Sequence, residues 1–440
     1  MAEALAGHGY AVDVLCLQLP GQAAEEWVNC VRVLRLPEAR HQGAGAGVYL
    51  REYVRFFGLA WRGLVALHRQ QPYALVQVYN PPDPLVFCTL PLKRRGVPVV
   101  LDLRELMPEL FMSRFRLARG SVIVRLLTWL ERRACAYADA VIVLHEPHRQ
   151  IMLGRGMPAG KMTQVMNCPD ERWFGAAPVN SGVAVQSELK RRHPERSGVS
   201  FCGAQSKDAV LDDARSTSFD CIRHTTPDSA QDAPLQSERL SGGSGAVVAI
   251  ADTARPFVAI YHGAILERYG VDLLVRAAAQ ALDQASGLRL EIYGTGDFLP
   301  AVQALAAELG LGDAVHFHGQ RPLEEMRAAI AAADVGVVPM RQDVFTDCIL
   351  PTKLLEYVAV GIPAIAAATA TTAAYFDETT VQLFRPGDVA DLAAKLVAVY
   401  RDPAAAADQA ERARAFTARH NWQGERERYL ALVGGVMRGA

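Results

Sequence analysis

The chain has 440 residues, enough for two or three domains of ~150 residues each, and half of it is apolar, so sizeable cores can be buried. With 46 basic and 47 acidic residues its formal net charge is −1, which gives no electrostatic ground for nucleic acid as a partner. No apolar run reaches the ~18 residues of a membrane helix, and Met1–Tyr10 lacks the basic start and long apolar stretch of a signal peptide.

In chain order, an amphipathic helix is predicted at Ala2 to Ala6, followed by Gly7-His8-Gly9 and a strand at 11–17. Further short runs rich in Val, Leu and Ile, at 31–36, 75–79, 97–103, 140–144 and 163–167, read as strands, with helical stretches such as 47–70 and 122–138 between them. This alternation predicts a parallel sheet covered on both faces. A doubly wound domain begins with a strand, a Gly-rich turn and then a helix. Residues 1–175 begin with the helix, so the first strand of this N-terminal Rossmann-like domain is expected to be missing. The sheet should then show a gap or a strained pairing.

Residues 176–254 are polar and contain two aromatics, Phe201 and Phe219, and the glycine-rich run Ser241–Gly245. They read as a disordered linker or insertion, of which 180–250 are expected to be dispensable for folding. The alternation restarts at Phe257, with strands at 288–293, 314–318, 334–339 and 363–367. Helices fit 270–283, 299–309, 322–332, 351–360, 388–400 and 404–418. Residues 255–440 are therefore a second doubly wound α/β domain, its last helix free to pack back on the first.

The most informative segment is Leu350-Pro-Thr-Lys-Leu-Leu-Glu-Tyr-Val-Ala-Val-Gly-Ile-Pro-Ala-Ile365. Pro351 suits the start of a helix, where a missing N–H costs nothing. The free N–H groups and helix dipole there favour a diphosphate, and Lys353 adds a cation. Glu356, about one and a half turns in, could accept hydrogen bonds from two ribose hydroxyls. The alternative is an ordinary helix–turn–strand with a surface glutamate.

This segment resembles the signature of retaining GT-B glycosyltransferases of the family 4-like type, which act in bacterial polysaccharide and glycolipid synthesis. The resemblance implies that Pro351, Thr352, Lys353 and Leu354 meet the donor diphosphate and that Glu356 holds the donor ribose. The family's second glutamate, eight residues earlier, is Cys348 here, with Asp347 beside it as a substitute near the donor sugar. Tyr261-His-Gly-Ala-Ile-Leu-Glu-Arg-Tyr-Gly270 resembles the family's first strand and glycine turn. Gly263 would let the backbone approach the phosphates. Ala264 and Tyr269 stand where the family has Arg and Lys, which leaves Arg268 as the candidate cation. Glu291-Ile-Tyr-Gly-Thr-Gly296 is a strand running into a glycine turn, Gly294 and Gly296, and His316-Phe-His-Gly-Gln320 resembles the segment that meets the nucleobase.

In the first half, Val100-Leu-Asp-Leu-Arg-Glu-Leu-Met-Pro-Glu109 resembles the family strand whose end faces the cleft. It would place Arg104 and Glu105 near the donor sugar or acceptor, unless they form an exposed ion pair. His145 would line the cleft or be a satisfied structural histidine.

The resemblance implies two facing α/β domains and transfer of a sugar, with retention, from a nucleotide-sugar co-substrate to a glycan or lipid-linked acceptor. No other cofactor and no metal are implied. His316 and His318 share a strand face but lack further ligands nearby, so a zinc site is not expected. The eight cysteines form no Cys-x-x-Cys pair and read as free thiols of a reducing compartment. The chain is accordingly expected in the cytoplasm, with peripheral contact at the inner membrane face left open. Two rivals stand beside this reading: a non-catalytic protein that keeps the fold, and a GT-B sugar-nucleotide epimerase.

Overall fold

The computed structural model of the chain describes residues 1–19, 21–37, 46–174, 198–203 and 255–439. Two parallel-sheet α/β layers dominate it. The first sheet holds β1 (Ala11–Leu17), β2 (Glu25–Val28), β3 (Val31–Leu36), β4 (Tyr73–Tyr79), β5 (Val99–Leu103), β6 (Ala140–Val143), β7 (Met162–Gln164) and β8 (Gly198–Gly203). Their order is β2-β3-β1-β8-β4-β5-β6-β7. The second holds β9 (Phe257–His262), β10 (Leu288–Tyr293), β11 (Val315–Gly319), β12 (Val335–Val338), β13 (Ala364–Ala367) and β14 (Gln382–Phe384), in the order β11-β10-β9-β12-β13-β14. Every pairing is parallel except β2 with β3.

The expected gap in the first sheet is absent. β8 lies between β1 and β4 and pairs with both, Val12 opposite Val199 on one side and Gln77 opposite Phe201 on the other. Counted from β3 to β6, β8 takes the innermost place of the first half, where a doubly wound sheet has its first strand. The backbone groups of β1 and β4 are thus paired on both sides, which removes the penalty of leaving them unsatisfied. The error lay in assuming that this strand must precede the Ala2–Gly7 helix; a segment later in the chain fills the slot. Residues 198–203 therefore belong to the first sheet, and the rest of 176–254 lies outside the described residues.

Besides β8, two strands escaped the sequence reading. β2 folds back on β3 through Asn29 and Cys30, both at positive φ (48° and 66°), the backbone of a tight two-residue hairpin. β14 is only three residues long, too short to show a pattern.

The cores follow the burial expected of parallel strands. β5, β6, β12 and β13 are buried at every position, as strands covered on both faces must be. The last helix, Trp422–Arg438, starts at Asn421, whose side chain accepts from the Gly424 N–H at 2.8 Å. It leaves the second domain and packs on the first: Tyr429 and Val433 join Leu5, Val12 and Leu75 in one apolar cluster, and the Tyr429 hydroxyl donates to Gln77 Oε1 at 2.7 Å.

Candidate functional site

The loops after β5 and β6 meet the loop of residues 340–349 from the second domain. Met107, Leu110 and Phe345 form a small shared core, with Ile349 packed against it. Ser113 donates to Asp343 Oδ2 at 2.5 Å, and the Tyr375 hydroxyl accepts from the Glu146 N–H at 3.0 Å.

On the second-domain side, the helix Thr352–Val360 begins directly after Pro351 and ends at Gly361, whose φ of 88° is the left-handed turn that glycine permits. Glu356 on this helix is only 5 % exposed, so the surface-glutamate alternative does not hold. Its Oε2 lies 3.1 Å from Nε2 of the equally buried His262, at the end of β9. The His262 ring stands edge-on to Tyr357, centroids 5.1 Å apart.

Lys353, 6 % exposed, does not reach into open solvent. Its Nζ lies 4.8 Å from the Tyr261 ring centroid and 4.7 Å from that of Tyr269, and donates to the Tyr261 hydroxyl at 3.4 Å. The Arg268 guanidinium lies 5.8 Å from the Tyr269 ring and 5.4 Å from Phe345. Tyr269, the departure from the family's Lys, is thus shared between two cations, each held by a π face. The sequence reading missed Tyr261, Tyr269 and His262 as site residues, although Tyr261 and His262 directly precede Gly263 and Tyr269 ends the turn that follows it.

Gly263, Gly294 and Gly296 come together at the strand ends. A Cβ on Gly294 would stand 1.8 Å from the Gly263 carbonyl oxygen, and one on Gly296 would stand 2.2 Å from that of Ile265. The Gly294 N–H donates to the Gly319 carbonyl at 2.8 Å, which ties in the β11 turn, with exposed Gln320 next to it. The glycines are required because these turns pack backbone on backbone.

Asp347 is engaged in structure. Its Oδ1 accepts from the Ala370 N–H at 2.9 Å and from Gln342 Nε2 at 3.0 Å, which ties its loop to the start of the Ala370–Tyr375 helix. Neighbouring Cys348 donates its thiol to the Val344 carbonyl at 3.2 Å, and burial pushes its pKa up to about 12, so it stays a neutral thiol.

On the first-domain side, Arg104 is mostly buried at the end of β5 and forms an ion pair with Asp102 (Nε to Oδ1, 3.0 Å). Its Nη1 donates to Asn167 Oδ1 at 2.6 Å and its guanidinium faces the Tyr79 ring at 5.1 Å. The backbone N–H groups of Arg104 and Glu105 both donate to Asn80 Oδ1, at 2.6 and 3.2 Å. His145 is buried and caps the Glu146–Gly154 helix, its Nδ1 accepting from the His148 N–H at 3.2 Å. Burial lowers its pKa to about 4 and that of His148 to about 3, so both rings stay neutral near pH 7.

His316 Nδ1 and His318 Nε2 both contact the Glu291 carboxylate, and His318 stacks on Tyr293 at 4.4 Å. Among the described residues, no group of three or more His, Cys, Asp or Glu is placed to hold a metal ion. None of the described helices is long and apolar enough to cross a membrane.

Comparison with known proteins bears on these features directly. Residues 1–168 match the family model "Glycosyl transferase 4-like domain", and residues 256–402 match "Glycosyl transferases group 1". A GDP-mannose-dependent alpha-(1-6)-phosphatidylinositol monomannoside mannosyltransferase of Mycolicibacterium smegmatis is 34 % identical over 107 residues, 23 % of this chain and 27 % of that protein. The chain thus spans under a third of that relative. Among solved structures, sucrose-phosphate synthase from Thermosynechococcus elongatus superposes with a TM-score of 0.67 at 19 % identity, covering 100 % of this chain and 92 % of that one. Anabaena HepE in complex with UDP-glucose gives 0.59 at 13 % identity, covering 96 % of this chain and 99 % of that one. These structures carry the fold, two Rossmann-like domains of the GT-B kind, and the two family models together span both domains. The chain belongs to the GT-B glycosyltransferases of the family 4-like type.

Proposed function

We propose that the chain transfers a sugar from a nucleotide-diphosphate donor to a glycan or lipid-linked acceptor, with retention of anomeric configuration. The observation that carries this reading is the burial of Glu356 against His262 on the helix that begins at Thr352 and bears Lys353. A carboxylate on this helix, one turn beyond the N–H groups and the lysine at its start, is placed to accept hydrogen bonds from the ribose diol of a donor whose diphosphate meets that start.

In this reading the N–H groups at the start of the helix, with Pro351, Thr352 and Leu354, receive the diphosphate. Lys353 leaves its tyrosine faces to meet the phosphates, and Arg268 adds the second cation. These charges stabilise the leaving group, so the reaction needs no metal and no cofactor beyond the donor. Gly263, Gly294 and Gly296 keep the turns low enough for the donor to lie over them, and Gln320 adjoins the nucleobase. Arg104, Glu105 and Asp347 stand on the sugar and acceptor side. The glycosidic bond to phosphate breaks as the acceptor oxygen bonds the anomeric carbon, and the departing diphosphate takes the acceptor's proton. The enzyme contributes position and charge. It works in the cytoplasm, at the inner face of the membrane.

Support for donor and acceptor classes comes from the relatives: one is named for GDP-mannose and a phosphatidylinositol mannoside, and one structure holds UDP-glucose. The test is a panel of nucleotide sugars ranked by thermal shift, followed by transfer assays with and without EDTA and anomeric assignment by NMR. Acceptor-dependent nucleoside diphosphate release with a retained anomer supports the reading. Isomerised donor without an acceptor would mark an epimerase, and donor binding without turnover a non-catalytic protein.

A further inference from the structure

The helix Val122–Tyr137 carries four of the nine exposed large apolar side chains found among the described residues: Val122 (79 % exposed), Ile123 (51 %), Leu126 (53 %) and Trp129 (51 %). Their spacing places them on one helical stripe, while Val124, Glu131, Ala134 and Cys135 are buried on the opposite side. Scattered apolar residues on a surface need no account, but a contiguous stripe does.

The charge around the stripe has one sign. From Leu110 to Tyr137 the sequence holds six arginines and one acid. That acid, Glu131, is buried and paired with Arg155 at 2.6 Å. Arg133 lies over the Trp129 ring at 5.4 Å. Beside the stripe is a groove of about 380 Å³, walled by Met112, Thr128 and Trp129, with exposed Arg119, Arg125 and Arg132 around it. Its floor is Glu109 and Arg155, which pair at 2.5 Å. The other side of the same helix supplies Leu127 to the apolar cluster that contains Phe345, so the stripe sits beside the meeting of the two domains.

We propose that this stripe and its arginine-rimmed groove dock the protein on an anionic phospholipid surface, the apolar side chains entering the headgroup boundary and the arginines meeting lipid phosphates. An apolar stripe with arginines and a tryptophan on a helix lying flat fits the polar–apolar boundary of a bilayer. A second copy of the chain fits poorly, because a two-fold contact would set these arginines against themselves. The inference deepens the reading of a chain that works at a membrane face by naming the surface that meets it.

The test is co-sedimentation with phosphatidylcholine vesicles, with and without phosphatidylglycerol. The wild type should pellet with the anionic vesicles and stay in solution with the neutral ones, and Trp fluorescence should shift to the blue on binding. Replacing Val122, Ile123, Leu126 and Trp129 together by Ser should weaken partitioning about tenfold or more, as should Arg119→Gln with Arg125→Gln and Arg132→Gln. The exposed positions chosen should leave the melting temperature and nucleotide-sugar affinity unchanged, so failure here is distinguishable from failure of the transferase reading. Absence of wild-type binding, equal binding to both vesicle types, or variants that pellet like the wild type would overturn the proposal. So would a concentration-dependent dimer in analytical ultracentrifugation that the Ser variant abolishes.

Discussion

His262 Nε2 stands 3.1 Å from Glu356 Oε2 inside the second domain, so the end of β9 and the middle of the Thr352–Val360 helix meet through one polar contact. Removing the imidazole leaves the carboxylate with less support at a buried site, a change that costs ~1–3 kcal/mol. His262→Leu should therefore lower the melting temperature. Combined with Glu356→Gln, its effect should be less than additive, because the two residues share one interaction. Strict additivity in a double-mutant cycle would show that the contact carries no energy.

Lys353 rests on the rings of Tyr261 and Tyr269. If it moves onto the donor phosphates, Lys353→Met should weaken nucleoside diphosphate binding by ~1.5–3 kcal/mol, the range for a charged hydrogen bond, and leave binding of the bare nucleoside alone. Calorimetry with both ligands measures this. An equal loss for both would mean that Lys353 supports the fold and not the phosphate.

β8 is the central strand of the first sheet, and Val199 pairs with Val12 and Leu75. Val199→Pro removes a backbone donor from a central strand and should cost ~3 kcal/mol or more. A thermal melt indistinguishable from wild type would place another segment, or none, between β1 and β4.

His148 is fully buried, and its pKa falls from 6.5 to about 3, through burial first and then the charges of His145 and Arg155. Held neutral in the fold, it binds fewer protons than in the unfolded chain. Its contribution is thus present above pH 6.5 and is lost as the pH falls toward its folded value. Wild type should lose about 2 kcal/mol from this group between pH 6.5 and pH 5, whereas His148→Gln should not. The stability gap between the two should narrow over that window. A constant gap would contradict the assignment.

Much of this was legible in the sequence because parallel strands buried on both faces announce themselves. Ala140–Val143 and Val335–Val338 are unbroken apolar runs, Val99–Leu103 is interrupted at Asp102 alone, and the helix from Thr352 is bracketed by Pro351 and Gly361. β8 was hidden because Gly198–Gly203 is short, lies in a polar stretch and gains its order from two partners distant in the chain. His262 and the two tyrosines were hidden for a related reason. Each belongs to β9 or the turn after it, and only the packing of the Thr352–Val360 helix against that strand end sets them beside Glu356 and Lys353. Asp347 was chosen for its closeness in sequence to Cys348, yet its carboxylate points to Ala370, a partner that local reasoning could not supply.

The central claim is that Glu356 holds the donor ribose. Isothermal titration of Glu356→Gln with the nucleotide sugar that most raises the wild-type melting temperature tests it most directly. The substitution keeps the shape and removes the charge. The account predicts a loss of ~1–3 kcal/mol in donor binding, with the fold intact by circular dichroism. Donor affinity equal to that of the wild type would contradict it.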